Sequence, residues 1–384
     1  MRTTEFILCF ILLVGVQVSS TDLDKALETF IASTIGKSSG GSNSDAIQNL
    51  FSLYKKEFNR KTQTANEEKL RLDSFSASLN TLVDHHRQGE KAYTLGLNNH
   101  SDWTQDELTK LNGVRVPQGN ILTTNAKAGE RFTTWDGKIA TGKTSLPTSY
   151  DYTTRVASGT NVPVVQPIKD QGNCGSCYTF AFISLLEFQY AVQLKASQSL
   201  SEQQMIDCST KDNGCNGGYF TNTFSYLQSN LLQVNTESYY PYKAVKSTCV
   251  FKATGPEVKY GSLLYSAVTA NNAAAMQQAL VNYGPLWVSV FAGNSSSSYQ
   301  QILSGFNSYK SGIWQPSGCP TSLASTNHAV VIVGYGVDAT TNIPYWKVRN
   351  SWGTSWGEAG YFQIRSGVNM CGIESGPFYI AKPA

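Results

Sequence analysis

Cysteine is distributed along this chain in a way few folds accommodate. None lies between residues 21 and 173, and seven follow: Cys174, Cys177, Cys208, Cys215, Cys249, Cys319 and Cys371. The first stretch must hold together without disulfides, while the second can carry three. Seven is odd, so in an oxidising compartment one thiol stays unpaired.

That compartment is legible at the start of the chain. Arg2 is followed by an uncharged apolar run from Phe6 to Val18, too short to span a bilayer. Val18 and Ser20 then set up cleavage before Thr21, so residues 1–20 read as a signal peptide that removes Cys9 with it. No other apolar run reaches spanning length, and no membrane span is expected after cleavage. The chain is expected to enter the secretory pathway, bound for a lysosome or digestive vacuole or for the extracellular space. Sequons at Asn99 and Asn294 are candidate glycosylation sites there. Lys and Arg number 30 against 27 Asp and Glu, a net +3 without a basic run, which excludes a nucleic-acid footprint.

Composition divides the rest. Residues 36–45, GKSSGGSNSD, form a flexible linker. From Asp45 to about Arg87 the apolar residues recur at helical spacing, first Ile47, Leu50, Phe51, Tyr54 and Phe58, then Leu72, Phe75, Leu79, Leu82 and Val83. YTLGLNNHSDWTQDEL predicts a short strand and then a helix capped by Ser101 or Asp102. Residues 114–145 are polar and without period, an exposed connector bearing Lys127, Arg131, Lys138 and Lys143. After Leu146-Pro147 come cysteines, Gly-rich turns and a long apolar helix over 177–195. Past residue 255, β-branched and aromatic runs predict strands, among them GPLWVSVFA, HAVVIVGYGV, YWKVRNSWG and GYFQIRS. Helices followed by strands predict an α+β fold of two packed lobes.

QGNCGSCYTF at 171–180 raises the question of what two cysteines three apart are for. A redox dithiol needs a βαβ setting, and none surrounds it. A zinc site needs a second ligand pair, but Cys208 and Cys215 are seven apart and His328 is the sole histidine of the second half, so no metal is expected. Separate fates remain. Cys177 stands where the apolar helix begins, and the partial positive charge and open N–H groups there favour a thiolate, so its pKa should be lowered. A thiolate nucleophile needs a base, and His328 is the imidazole available. The base needs an orienting partner, and Asn350 offers an amide that Trp352 shields from water. A buried inert thiol, a satisfied core histidine and a plain Trp/Gly hairpin are the alternative readings of the same residues.

Taken together, QGNCGSCY, NHAV and NSWG, with CNGG at 215–218 between them, resemble the papain-like cysteine proteases. The resemblance implies a papain-like fold with a helical lobe and a β-barrel-like lobe. It implies that Cys177 and His328 form the catalytic pair, that Asn350 orients the imidazole, and that Gln171 and the Cys177 N–H stabilise the oxyanion. It pairs Cys174 with Cys215, Cys208 with Cys249 and Cys319 with Cys371. Gly217 and Gly218 would pair with substrate backbone, Tyr219 nearby. Phe220, Ala329, Gly376 and Ser289 would line the main specificity pocket, which carries no charge and should favour a bulky apolar or aromatic side chain two residues before the scissile bond. With one histidine in the second half and no cysteine in the prosegment, an endopeptidase is expected.

The first half resembles the inhibitory propeptide of the cathepsin L-like branch. Glu67, Arg71 and Phe75 fit its helix signature, with Ser78, Leu82 and His86 where Asn, Ile and Asn are usual; Gly96, Asn98 and Asp102 fit a second signature, with His100 replacing an aromatic residue. The expected organisation is a signal peptide (1–20), a propeptide (21–145) and a peptidase (146–384), cut near Ser145–Pro147. Acid is expected to neutralise prosegment carboxylates, Asp102 among them, and to loosen the inhibitor. Expected partners are protein and peptide substrates, the chain's own propeptide and cystatin-type inhibitors. No cofactor is expected, and the protein should be a monomer.

Overall fold

The computed structural model describes residues 21–35, 44–89, 92–117 and 146–381. The signal peptide, most of the Gly/Ser linker, the four basic connector residues and the cleavage region through Ser145 lie outside them. Two compact units are formed, one ending at Leu72 and one beginning at Asp73, so residues 73–117 share a unit with residues 146–381.

In the first unit, α1 (Asp22–Ile35) and α2 (Ser44–Glu57) bury Leu23, Leu27, Phe30 and Ile31, and Leu50, Phe51 and Tyr54. The periodicity had not predicted α1. Glu68 accepts from Lys55 and Thr62, and these bonds hold its carboxyl below the ordinary range. The helix α3 (Ala65–Arg87) runs across the boundary.

The second unit begins with the far end of α3, then β1 (Tyr93–Leu95) and α4 (Gln105–Lys110). The cap of α4 is Thr104, not Ser101 or Asp102. Its hydroxyl accepts from the Glu107 N–H and the Glu107 carboxylate accepts from the Thr104 N–H at 2.8 Å, a reciprocal capping box. Ser101 and Asp102 are instead buried in the preceding turn, where Ser101 Oγ accepts from the Asn98 N–H.

The peptidase elements follow as β2 (Tyr150–Asp151), α5 (Cys177–Leu194), α6 (Glu202–Cys208), α7 (Phe220–Ser229), β3 (Gln233–Asn235), β4 (Glu257–Lys259), β5 (Leu264–Ala267), α8 (Ala273–Tyr283), β6 (Leu286–Val290), α9 (Gln300–Asn307), β7 (Tyr309–Trp314), β8 (His328–Val337), β9 (Pro344–Arg349), β10 (Tyr361–Arg365) and β11 (Phe378–Ala381). The helices α8 and α9 fall where strands were expected. The main sheet runs β1-β7-β10-β9-β8-β6-β11-β5, with β2 on β8. This path has two ends, so the expected barrel-like lobe is an open sheet. Prosegment strand β1 supplies one edge through antiparallel pairing with β7.

Apolar on nearly every face, α5 is buried along most of its length, as a helix packed on several sides must be. An aromatic cluster of Phe182, Phe220, Phe224, Tyr265, Trp287 and Phe378 joins α5 and α7 to the sheet. Phe220, expected as a pocket wall, stacks 4.6 Å from Phe378 and is fully buried in this structure.

Candidate active site

Three disulfides join Cys174 to Cys215, Cys208 to Cys249 and Cys319 to Cys371, and Cys177 is the one free thiol among the described residues. Cys177 opens α5, His328 opens β8 and Asn350 follows β9. The antiparallel pairing of β8 with β6 and β9 sets the last two near each other. Asn350 Oδ1 lies 2.8 Å from His328 Nε2 and accepts from the Ser351 N–H at 2.9 Å. Nε2 therefore carries the ring proton, and Nδ1, without a hydrogen-bond partner, is the basic nitrogen. The Ala329 N–H, beside His328 in sequence, donates to Cys177 Sγ at 3.4 Å. Trp352 lies over the imidazole at 4.7 Å between ring centres and is fully buried, so it shields the His328–Asn350 bond.

Gln171 is fully buried and held in one pose. Its Oε1 accepts from Ser351 Oγ at 2.8 Å, and its backbone carbonyl accepts from Tyr242 Oη at 2.6 Å. Its Nε2 donates to the carbonyls of Leu111 at 3.0 Å and Cys174 at 2.8 Å. The Leu111 carbonyl thus takes the donor expected from the sequence to serve an oxyanion. Ser351 and Tyr242 were missed in the sequence; only the adjacency of Ser351 to Asn350 offered a signal. Asp212 was missed too. Buried, it accepts from Ser209 Oγ, Thr223 Oγ1 and the Tyr219 N–H, pinning the strip that carries Gly217 and Gly218.

The prosegment fills the cleft. Gly218 N–H donates to the Gly113 carbonyl and Arg115 N–H donates to the Gly218 carbonyl, each at 2.9 Å, in parallel register. Val114 N–H donates to the Asn327 carbonyl at 2.9 Å, and Gly113 N–H donates to Cys177 Sγ at 3.2 Å. Passage this close requires glycine. A Cβ on Gly113 would fall inside the contact radius of the Gly175 carbonyl oxygen, and one on Gly217, at φ +109°, would lie 2.6 Å from the Gly113 carbonyl oxygen. Gly113→Ala is therefore expected to weaken binding of the prosegment, added in trans to mature enzyme, by at least about 100-fold, since backbone oxygens cannot rotate away. An unchanged inhibition constant would contradict this seating.

This covering reverses the expected thiol chemistry. Burial pushes the Cys177 thiol up to about 11, despite donors from Ala329 and Gly113, so it is a neutral thiol here. Burial pushes His328 down to about 4, although its bond to Asn350 and the nearness of the Leu111 carbonyl favour the charged ring. The backbone N–H donors still favour a thiolate, but desolvation by burial outweighs them.

The candidate glycosylation sites differ. Both are half-buried, but Asn99 Oδ1 accepts from the distant Ser355 Oγ at 2.8 Å, whereas Asn294 Oδ1 accepts from the Ser296 N–H within its own loop after β6. Ser289 and Ala329 face each other across β6 and β8, and Tyr219 Oη is buried without a partner. Among the described residues no cluster of His, Cys, Asp and Glu is arranged to hold a metal, and no helix is long and apolar enough to cross a membrane.

Residues 146–381 match the model of the papain family cysteine protease, and residues 51–108 match the cathepsin propeptide inhibitor domain. The thiol protease aleurain of Arabidopsis thaliana is 32% identical, with 84% of this chain and 81% of that protein covered. A cathepsin L-like proteinase of Fasciola hepatica is 34% identical, with 87% of this chain and 92% of that protein covered. The solved structure of digestive procathepsin L2 proteinase from Tenebrio molitor larval midgut superimposes with a TM-score of 0.72 at 28% identity, over 88% of this chain and all of that one.

Proposed function

The chain belongs to the papain family of cysteine proteases, as a zymogen with its own inhibitory propeptide, and on that premise we propose how it cleaves, what it prefers and where it acts. Cys177 as thiolate adds to the peptide carbonyl carbon, and the carbonyl electron pair moves to oxygen. Gln171 Nε2 and the Cys177 N–H receive that oxyanion. The His328 imidazolium gives its proton to the leaving amine, which departs and leaves a thioester. Water, deprotonated by His328, then releases the acid and regenerates the thiol. The observation that carries this reading is the bond from His328 Nε2 to Asn350, which leaves Nδ1 free to serve the one unpaired thiol.

The substrate backbone takes the Gly217–Gly218 strip that the prosegment now holds. Tyr219, Ala329, Ser289 and Gly376, backed by Phe220, form an uncharged pocket for a bulky apolar or aromatic side chain two residues before the scissile bond. The enzyme acts as an endopeptidase after passage through the secretory pathway, in an acidic vacuole or outside the cell.

Acid drives its maturation, and His328 supplies one cause. Buried under the prosegment it titrates at about 4; uncovered, it returns towards the ordinary 6.5, so the open state binds the extra proton. The closed state keeps its full advantage above pH 6.5 and loses it as pH falls towards 4, by up to about tenfold per pH unit. That uptake belongs to the open state in which Cys177 keeps the proton it holds when covered; where the open cleft forms the thiolate–imidazolium pair, the proton has moved from sulfur to nitrogen and none is gained. Maturation rates should therefore climb from pH 6.5 to 4. Precursor that matures equally fast at both ends would refute this.

The activity test acidifies purified precursor and follows hydrolysis of an apolar-Arg fluorogenic peptide with and without an epoxide thiol inhibitor. Epoxide-sensitive hydrolysis is expected, and none would sink the protease reading. A strong preference for Arg two residues before the cut would overturn the pocket.

A further inference from the structure

Glycine at position 376 would leave the end of that pocket deep and open, but another residue fills the space. A Cβ built on Gly376 would meet the two Leu323 methyls at 2.9 and 3.3 Å and Tyr219 Oη at 3.5 Å. Leu323 thus takes the place that a side chain at 376 would have. It comes from the loop between Cys319 and His328, far in sequence from the other pocket residues.

The loop is firmly fixed. The Cys319–Cys371 disulfide ties its start to the segment that leads to Gly376. The Thr321 carbonyl accepts from Asn369 Nδ2 and from Ser375 Oγ, each at 2.8 Å. Thr326 Oγ1 donates to the Leu323 carbonyl at 2.7 Å and shares a 2.8 Å bond with Ser289 Oγ, itself a pocket residue. Leu323 is itself only half-buried, so what makes it a wall is its backbone, which is anchored on both sides and cannot carry the side chain away from an extra ring without strain.

We propose that Leu323 is a specificity-determining residue that sets the depth of this pocket. Within the apolar class assigned above, on which this inference rests, it selects branched aliphatic side chains such as Val and Leu over Phe. Removing the methyls that meet Gly376 opens the pocket end, while adding a Cβ at Gly376 presses on Leu323 and shortens it.

The test matures the full-length precursor in acid, counts active sites with an epoxide titrant, and measures kcat/KM for peptides differing only in Val, Leu or Phe at that position. The wild type should favour Val and Leu over Phe. Leu323→Ala should raise the Phe/Val ratio about tenfold, the scale of a few methylenes in an apolar pocket. Gly376→Ala should lower the ratio. Leu323→Val, a milder change, should raise it less and serves if the alanine variant does not fold. An active, fully titrated variant with an unchanged ratio would overturn the proposal, as would a wild type that prefers Phe. Absence of epoxide-sensitive hydrolysis of every peptide would instead overturn the protease reading beneath it.

Discussion

Cys177→Ala should yield a precursor that stays full length in acid and hydrolyses peptides at least about 10⁴-fold more slowly than wild type, approaching 10⁶-fold, the range seen when a nucleophile that works as a unit with its base is removed. The remaining groups still bind substrate and offer the oxyanion donors, but alanine cannot form the thioester, and His328 has nothing to deprotonate. The loss should be in kcat, because the Gly217–Gly218 strip and the pocket are untouched. Fold should survive, since a methyl replaces a small buried thiol whose sulfur accepts only from backbone N–H groups, among them those of Ala329 and Gly113. A second readout follows from burial. Cys177 is fully covered in the precursor, so an epoxide should label it slowly before maturation and fast after it, and should label the alanine variant not at all. A variant keeping more than one per cent of wild-type activity at equal active-site count would remove Cys177 from the mechanism.

Lys169→Met is expected to be the most destabilising single change outside the core. Lys169 Nζ donates to Glu187 Oε1 at 2.8 Å, Glu202 Oε1 at 2.7 Å and the Leu200 carbonyl at 3.1 Å, which uses all three ammonium donors. Both carboxylates are almost fully buried. Burial works against the ammonium, yet Glu202 and Glu187 outweigh it and hold Lys169 above the ordinary lysine range. Burial pushes Glu202 up to about 8 even with Lys169 beside it, and Glu187 and Glu237 add to that push. Without the cation two buried acids face each other unpaired, a loss of about 3–5 kcal/mol.

For a domain of this size that is a melting shift of roughly 6–20 °C, measured on the inactive Cys177→Ala precursor. The sign in pH is set by the raised carboxyl. Its folded form holds the proton more tightly than the unfolded one, so stability is complete at low pH and is lost as pH rises through the folded value. The deficit of the variant should shrink near pH 4 and grow towards pH 8, and Glu202→Gln should recover part of it. A shift below about 2 °C at pH 7 would show that the cluster is solvated.

Much of the site could be read from the chain itself. An odd cysteine count after residue 173 required one unpaired thiol, and the onset of an unbroken apolar helix picked out Cys177, because both are local facts of composition and period. His328 and Asn350 were legible for a similar reason: one imidazole and one amide sat at the edges of β-rich runs. The whole of α5 was predicted to within a residue of its end, since apolar content without polar interruption needs no tertiary help to identify. The cap of α4 was misplaced by two or three residues because Ser101, Asp102 and Thr104 are all competent caps, and only the reciprocal bond with Glu107 chooses among them.

What lay beyond reach depends on contacts between distant segments. The helix-start argument placed Cys177 as a thiolate, but its protonation is decided by desolvation beneath Leu111–Val114, some sixty residues away. Phe220 is apolar in either setting, and only stacking on Phe378 assigns its ring to the core. Lys169 became a partly buried cation only when α5 and α6 brought two glutamates to it, and Leu323 meets Gly376 only because a disulfide and Thr321 fasten its loop there. Residue type and spacing therefore determined which groups can perform the chemistry. Folding decided which of them are dry, charged or in the way, because dielectric and free volume belong to the packed molecule and not to any stretch of chain.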